Sequence, residues 1–306
     1  MSYSFVFPGQ GSQSVGMLAE IYDQEPLIAA TFNEASSLLG YDLWQLVKNG
    51  PAEELNHTEV TQPAILVASV ACYRVWVNKG LEAPIVMSGH SLGEYSALVC
   101  ANALSFTDSV TLVRDRGRYM QAAVATGEGA MAAILGLDDD VVIDVCNAAA
   151  EGEVLSAANF NSLGQVVIAG TTSAVNRAAV MAKDRGAKRA VILPVSVPSH
   201  CSLMKPAAKQ LAESLAEIAI SAPTIPVIHN VDGQAHNEPD AIRQALIDQL
   251  YESVRWVDCI GQIKTYAANE IIECGPGKVL SGLIKRIDRS LATRNLNTTA
   301  DFVATA

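Results

Sequence analysis

A serine set between two glycines is the strongest indication of chemistry in this sequence. The pattern is G-x-S-x-G, with Ser91 at its centre and Gly89 and Gly93 on either side. An apolar run at residues 85–87 precedes it and a helical pattern follows. The pattern therefore predicts a nucleophile elbow, a strand–turn–helix that exposes a serine hydroxyl for attack on an acyl carbon. A side chain at either glycine would collide with the adjoining strand or helix. The amide of Leu92, where the helix starts, is expected to face any oxyanion formed there.

An arginine and a histidine further along the chain are candidates for the same site. In the helix predicted after residue 105, Arg114 and Arg118 share one face, whereas Arg116 points roughly 200° away from Arg114. An arginine turned inwards needs an anionic partner, which is either an acidic side chain or the carboxylate of a ligand. His200 lies where a loop of small polar residues enters a helix, and it is either a general base or a capping histidine.

The elements that must position these residues are strands of an α/β protein. Apolar strands are predicted at residues 3–7, 85–87, 227–229 and 270–274. The first strand runs into the polar, glycine-rich loop 8–13, which contains Gln10. Loops of this kind, at the ends of apolar strands, are where an α/β sheet usually makes its ligand contacts.

The periodicity of the sequence changes at residue 130. From there to residue 193 it predicts strand, helix, strand, strand, helix and strand, which is the ferredoxin-like arrangement. We interpret this stretch as a subdomain inserted into a larger one, with a hinge at residues 125–129 and with Pro194 and Pro198 marking the return. The end of the chain, residues 298–306, is expected to be a mobile tail.

Composition and charge argue against several classes of protein. The chain has 306 residues, half of them hydrophobic, which is enough for a sizeable compact core. Its net charge of −11 makes it a poor candidate for binding nucleic acid. We expect neither a transmembrane helix nor a signal peptide, because no long apolar run and no basic leader are recognisable. The six scattered cysteines are typical of reduced thiols and predict a cytoplasmic location, and the five histidines lack metal-ligand spacing.

Five motifs, in their order and spacing, resemble those of the malonyl-CoA:acyl-carrier-protein transacylases. They are FPGQGSQ at residues 7–13, GHSLGEY at 89–95, RGRYM at 116–120, PSHCSLM at 198–204 and ECGPG at 273–277. The resemblance covers nearly the whole chain, and five motifs in register are far more specific than one G-x-S-x-G. It implies an α/β-hydrolase-like large domain, residues 1–126 and 195–306. A ferredoxin-like small domain, residues 127–194, interrupts it, with the active site in the cleft between the two.

The resemblance also assigns roles in nucleophilic catalysis. It implies that Ser91 is the nucleophile, that His200 is its general base and that the main-chain carbonyl of Gln249 holds the histidine. A carbonyl orients the imidazole without adding a full negative charge, so a dyad is expected rather than a triad with a carboxylate. Ser253 stands where members of the family often have proline, which affects the geometry expected around Gln249.

Substrate recognition is implied at four further positions. Arg116 matches the arginine that binds the malonate carboxylate, and acyl groups without a second carboxylate would leave it buried and unpaired. The Gln10 region and the Leu92 amide match the oxyanion hole, and Leu92 is also more typical of malonyl than of methylmalonyl selectivity. Gln10 and His90 are counted with the substrate-binding residues, His90 with a less direct role.

The activity that the resemblance implies is transfer of a malonyl group from malonyl-CoA to the phosphopantetheine thiol of acyl carrier protein. A malonyl ester on Ser91 would be the intermediate, and the product would supply extender units for fatty-acid synthesis. We expect no metal and no cofactor besides these two substrates, no nucleic-acid or membrane partner, and a cytoplasmic monomer. Acyl carriers are acidic, so an acidic enzyme needs a local basic patch. The candidates for it are Lys183, Arg185, Lys188, Arg189, Lys278, Lys285 and Arg286.

Three alternatives remain open on the sequence. A serine thioesterase or hydrolase with a similar elbow would need a carboxylate facing His200 and would have no reason to place Arg116 in its pocket. An acyltransferase of a polyketide pathway would have the same site. A non-catalytic protein that only binds an acyl carrier would not need Ser91, His200 and Arg116 together.

Overall fold

The computed structural model describes residues 1–195 and 197–304. Ser196, in the predicted loop before His200, and residues 305–306, in the predicted tail, lie outside the described residues. In chain order the strands are β1 (Tyr3–Phe7), β2 (Val86–Gly89), β3 (Gly129–Leu135), β4 (Leu155–Ser162), β5 (Gln165–Thr171), β6 (Arg189–Ile192), β7 (Val227–Ile228), β8 (Glu270–Glu273) and β9 (Thr293–Asn295).

The helices surround two sheets. They are α1 (Ala19–Tyr22), α2 (Pro26–Leu39), α3 (Leu43–Asn49), α4 (Ala52–Leu55), α5 (Thr58–Asn78), α6 (Gly93–Cys100), α7 (Phe106–Ala123), α8 (Asp139–Ala150), α9 (Thr172–Asp184), α10 (Lys205–Ala216), α11 (Pro239–Asp248), α12 (Trp256–Thr265) and α13 (Val279–Ile287). Short 3-10 turns lie at Ser202–Met204 and Thr299–Asp301.

The larger core is built around a parallel sheet with the strand order β7-β2-β1-β8-β9. Every residue of the central strand β1 is buried, which is the pattern of a parallel strand covered on both faces. Phe7 pairs with Gly89 of β2, and Val6 pairs with Glu273 of β8. Because parallel strands end at the same edge, the loop after β1 and the turn after β2 meet there, and this edge carries the candidate site.

The smaller core is built around an antiparallel sheet with the order β4-β5-β3-β6, against which α8 and α9 pack. The chain passes through it as β3, α8, β4, β5, α9 and β6. The sequence predicts a strand at residues 154–159 here, whereas β4 runs on to Ser162 and leaves a turn to β5 of only Leu163 and Gly164. Two register shifts along the β4–β5 pairing accommodate the extra residues. The extension brings Asn161 into the strand, with consequences for the site.

Helix α5 is long and apolar enough to cross a membrane by length and composition, and it is the single such helix among the described residues. However, 78% of its most apolar window is buried inside the protein. Buried helices in the core of a large protein have the same all-round apolar character, and that is how α5 packs here.

The prediction of a mobile tail from residue 298 was wrong for the part that the structure describes. Strand β9, which the sequence did not predict, adds to the edge of the parallel sheet beside β8. Asp301 and Thr298 then form a capping box, and Phe302 is only 4% exposed within the larger core. The apolar surface that Phe302 buries and the capped turn together hold this segment against the protein.

Candidate active site

The turn that carries Ser91 has the strained backbone of a nucleophile elbow. Ser91 has φ of 52°, a left-handed conformation that non-glycine residues rarely adopt. A Cβ on Gly89 would lie 1.9 Å from the backbone carbon of Gly93, and a Cβ on Gly93 would lie 2.0 Å from the carbonyl oxygen of Phe7. The turn is therefore closed against its own helix α6 on one side and against β1 on the other. Only glycine fits at these two positions.

His200 and the backbone of Gln249 complete a dyad geometry with Ser91. The Nε2 of His200 lies 2.8 Å from the Oγ of Ser91, and its Nδ1 lies 2.7 Å from the carbonyl oxygen of Gln249. Since the carbonyl can only accept, Nδ1 carries the proton and Nε2 is the nitrogen free to accept the serine proton. Within residues 1–195 and 197–304, no carboxylate pairs with this imidazole.

The surroundings of His200 keep its imidazole neutral. The side chain is buried, and burial lowers its pKa to about 3, with the nearby positive charge of Arg116 acting in the same direction. The bond to the Gln249 carbonyl opposes this only in part. A histidine held in its neutral form is ready to act as a base without first losing a proton to solvent.

Arg116 lies beside the dyad with a rigid set of neutral partners. It is 1% exposed, and its Nη1 donates to the Oε1 of Gln62 at 2.8 Å. Its Nη2 donates to the Oε1 of Gln249 at 3.0 Å and lies 3.4 Å from the Oγ of Ser91. No acidic side chain in the described part of the chain forms an ion pair with it, so the alternative of an internal salt bridge is not what the structure holds. Burial lowers the pKa of its guanidinium, as expected for a charge without a direct counter-ion.

These side chains line a cleft between the two sheets. Ser91, Arg116 and His200 face it from the larger core, and Met131, Asn159 and Val167 face it from the antiparallel sheet. Its volume is about 230 Å³, and Val279, Leu280 and Leu283 of α13 form an apolar side wall. A pocket that is mostly apolar, with a few convergent polar groups, is the usual form of a small-molecule site.

The two positions predicted to stabilise an oxyanion also lie at this cleft. Leu92, just before α6, and Gln10, in the loop after β1, both line it. The amide of Ser91 itself donates to the Oδ1 of Asn230 at 2.7 Å and is therefore occupied. In the described residues the main-chain N–H groups of Gln10 and Leu92 have no acceptor, so both can donate to a ligand, whereas the side-chain Nε2 of Gln10 lies 3.5 Å from the Oγ1 of Thr58.

His90 connects the elbow to the antiparallel sheet. Its Nε2 lies 2.7 Å from the Oδ1 of Asn161 on β4, and its ring packs edge-on against Trp256. Burial lowers the pKa of this imidazole. The contact depends on the extension of β4 through Asn161, so His90 holds the two walls of the cleft together as well as lining it.

Four buried residues behind the site were not predicted from the sequence. They are Gln62, Glu94, His229 and Asn230. Glu94 follows the elbow on α6, and its carboxylate accepts from His229 Nδ1 at 2.8 Å and from the Asn230 amide at 2.9 Å. The sequence offered one indication for two of them. His229 and Asn230 directly follow β7, at the carboxyl edge of the parallel sheet, where ligand sites of α/β proteins usually lie. Their contact with Glu94 spans more than a hundred residues, and no local pattern predicts it.

The described residues include neither a disulfide nor a cluster of metal-ligating side chains. Among residues 1–195 and 197–304, no group of three or more His, Cys, Asp or Glu side chains could hold a metal ion. The six cysteines are all buried as free thiols, and burial raises the pKa of each. They are small core residues rather than reactive groups.

Comparison with known proteins extends the likeness to the whole chain. Residues 4–292 match the family model described as acyl transferase domain. The curated malonyl CoA-acyl carrier protein transacylase of Escherichia coli K12 is 57% identical over 295 residues, 96% of each chain. A crystal structure of an acyl carrier protein S-malonyltransferase from Vibrio cholerae superposes with a TM-score of 0.96 at 56% identity, over 98% of each chain. A malonyl-transacylase solved in complex with a type II PKS acyl-carrier protein is 52% identical, with a TM-score of 0.97 over 99% of this chain and 98% of that one.

Proposed function

The chain belongs to the malonyl CoA-acyl carrier protein transacylase family, and from that membership we propose that it moves a malonyl group from malonyl-CoA to an acyl carrier protein. The observation that carries the proposal is the position of the Arg116 guanidinium beside the Ser91–His200 pair in one cleft. A serine–histidine pair alone serves many acyl transfers and hydrolyses. A buried cation that lacks an acidic partner selects an acyl group with a second carboxylate.

The first half of the reaction loads the enzyme. Ser91 Oγ attacks the thioester carbon of malonyl-CoA while His200 Nε2 takes the hydroxyl proton. The tetrahedral intermediate carries an oxyanion, which the amides of Leu92 and Gln10 stabilise. The carbon–sulfur bond then breaks, the protonated His200 returns the proton to the departing thiolate, and a malonyl ester of Ser91 remains.

The second half reverses these steps with a different thiol. The phosphopantetheine thiol of the carrier gives its proton to His200 and attacks the ester carbon, and the Ser91 oxygen leaves and recovers the proton. A transfer between two thioesters has almost no net driving force, so a covalent ester can hold the group between donor and acceptor. The Gln249 carbonyl keeps the same imidazole tautomer in both halves, which supports a ping-pong sequence with one base.

The division into domains is proposed from the two sheets. We assign residues 1–126 and 195–306 to an α/β-hydrolase-like domain and residues 127–194 to a ferredoxin-like domain. The parallel order of the larger sheet and the elbow after β2 support the first assignment. The order β4-β5-β3-β6 and the passage β3, α8, β4, β5, α9, β6 support the second.

The proposed function also includes the substrates, the cellular location and the pathway of the protein. The acyl carrier protein named for the relatives is the proposed acceptor, and coenzyme A thioester is the donor. We propose that the protein works as a cytoplasmic monomer in fatty-acid synthesis and needs no cofactor beyond these substrates. The similarity to a malonyl-transacylase bound to a type II PKS carrier supports a polyketide line as the second candidate pathway.

Intact-protein mass spectrometry tests the activity. After incubation with malonyl-CoA, the wild type should gain one malonyl group, while Ser91→Ala, checked by thermal unfolding to be folded, should gain none. Addition of phosphopantetheinylated carrier should discharge the enzyme and yield malonyl-carrier. Release of free malonate without any malonyl-carrier would instead favour a hydrolase, and failure of the wild type to become acylated would contradict the proposed function.

A further inference from the structure

The side chain of Gln249 connects three parts of the site: Arg116, Glu94 and the elbow. Its Oε1 accepts from Arg116 Nη2 at 3.0 Å, and its Nε2 donates to the Oε2 of Glu94 at 2.9 Å and to the carbonyl oxygen of Ser91 at 3.0 Å. The orientation of this amide is determined by its neighbours. A guanidinium can only donate, so the oxygen must face Arg116 and the nitrogen must face Glu94.

Glu94 is a fully buried carboxylate surrounded by donors. Its Oε1 faces His229 Nδ1, and its Oε2 accepts from the Asn230 amide and from Gln249. The main-chain N–H of Asn230 and the side-chain NH₂ of Gln249 can only donate, so the Oε2 of Glu94 accepts from both, as a carboxylate oxygen does. The Nε2 of His229, on the far side of its ring, is buried without a partner in the described residues.

One negative and one positive charge therefore face each other across a single amide group. Glu94 is the anion that balances buried Arg116, yet it does not touch the guanidinium. A carboxylate in direct contact would occupy the donors that a substrate carboxylate needs. An intervening amide transmits orientation and part of the attraction while those donors remain available.

We propose that Glu94 is a positioning residue that, through the Gln249 side chain, holds Arg116 charged and aimed for the malonyl carboxylate. The inference rests on the proposed function, because it deepens the account of how that site selects its acyl group. Glu94 touches no reacting atom. Its influence on the bound acyl group runs through Gln249 and Arg116. Loss of Glu94 should therefore slow acylation by malonyl-CoA more than acylation by acetyl-CoA.

Acylation of Ser91 by malonyl-CoA and by acetyl-CoA, followed side by side by quenched intact mass, tests this proposal. In Glu94→Gln the anion is gone, and the malonyl-over-acetyl ratio of kcat/KM should fall about tenfold or more, since a hydrogen bond to a charged group typically contributes that much. Most of the loss should appear as a raised KM for malonyl-CoA. Gln249→Met keeps the main-chain carbonyl that orients His200 but cuts the same connection, so its ratio should fall likewise.

His229→Gln is the matched control. It disturbs a different hydrogen bond of the same buried carboxylate, on the oxygen that does not lead to Arg116, and should keep the wild-type ratio. If malonyl and acetyl rates fall in parallel in Glu94→Gln, the residue is merely structural and the proposal is overturned. If Glu94→Gln does not fold, an unchanged ratio in Gln249→Met overturns it instead. A wild type that malonyl-CoA does not acylate would refute the proposed function, whereas a normal wild type with unchanged variant ratios refutes only this inference.

Discussion

Nη2 of Arg116 lies 3.4 Å from Oγ of Ser91, although 25 positions separate the two residues in the chain. This distance places a cation next to the atom that would carry the acyl ester. In a malonyl ester, one methylene separates the ester carbonyl from the free carboxylate, so the carboxylate must fold back or reach across to a donor close to the serine. Arg116 is such a donor, and its fixed partners Gln62 and Gln249 keep it from turning away.

Replacement of Arg116 by alanine should remove the preference for malonyl. A bidentate pair between guanidinium and carboxylate makes two charge-assisted hydrogen bonds, so malonyl acylation should fall about 10²-fold or more, with acetyl acylation much less affected. Rates of Ser91 acylation with both thioesters give the ratio. Arg116→Lys, which keeps the charge but not the fork, should lie between the alanine variant and the wild type. An unaltered malonyl preference in Arg116→Ala would falsify the assigned role.

His200 should remain neutral in the folded protein well below the pH at which a free histidine titrates. Burial lowers its pKa to about 3 from an ordinary 6.5. Between these values the unfolded chain binds a proton that the folded protein does not. His200 therefore costs folding stability increasingly as the pH falls from about 6.5 towards 3, and nothing above that window. The imidazole resonances of His200, assigned by comparison with His200→Gln, should show the neutral tautomer with Nδ1–H at pH 5. A titration midpoint near 6.5 would contradict this.

Glycine at position 93 should be essential to folding, unlike glycine in an open helix. A Cβ on Gly93 would meet the Phe7 carbonyl oxygen at 2.0 Å and the Pro8 carbonyl oxygen at 2.9 Å, and backbone atoms cannot move aside as a flexible side chain can. Gly93→Ala should lose about 4 kcal/mol or more of the free energy of unfolding. Gly282→Ala on α13, where a Cβ would meet nothing within 4 Å, should instead gain roughly 0.5–1 kcal/mol. Urea unfolding of the two variants makes the comparison, and equal stabilities would refute it.

Local patterns were sufficient to predict the elbow and the orientation of Arg116, because each depends on the spacing of a few neighbouring residues. The elbow at Ser91 follows from the spacing of its glycines, and the inward turn of Arg116 follows from helical periodicity. The network behind them could not be predicted. Glu94 meets Asn230 across 136 positions, and Gln249 bonds Ser91 across 158, so only the folded chain brings them together. The same limit applies to the tail, because Phe302 is buried only by packing against the larger core, whose residues lie far from it in the chain.

Charge reversal on the insert should weaken transfer to the carrier but not loading from malonyl-CoA. Lys188 and Arg189 are exposed at the start of β6, and the residues that follow this strand, Leu193 and Val195, line the cleft. The double variant Lys188→Glu, Arg189→Glu should raise KM for an acidic carrier severalfold, more at low salt than at high salt. Lys209→Glu, on α10 and outside the cleft, makes the same type of change as a control. If carrier-dependent turnover is unchanged while loading is normal, these two residues do not dock the carrier.

Removal of the Phe302 side chain should destabilise the whole larger core rather than free a loose end. Phe302 is 4% exposed and belongs to the same apolar cluster as β1 and α5. Phe302→Ala should therefore lower the free energy of unfolding by about 3 kcal/mol, the usual cost of emptying a buried aromatic site. Val303→Ala is the matched control, because Val303 is 52% exposed and its loss should change stability little. Thermal unfolding followed by circular dichroism should show one cooperative transition, shifted down only in the phenylalanine variant. A mobile tail would give two variants indistinguishable from the wild type.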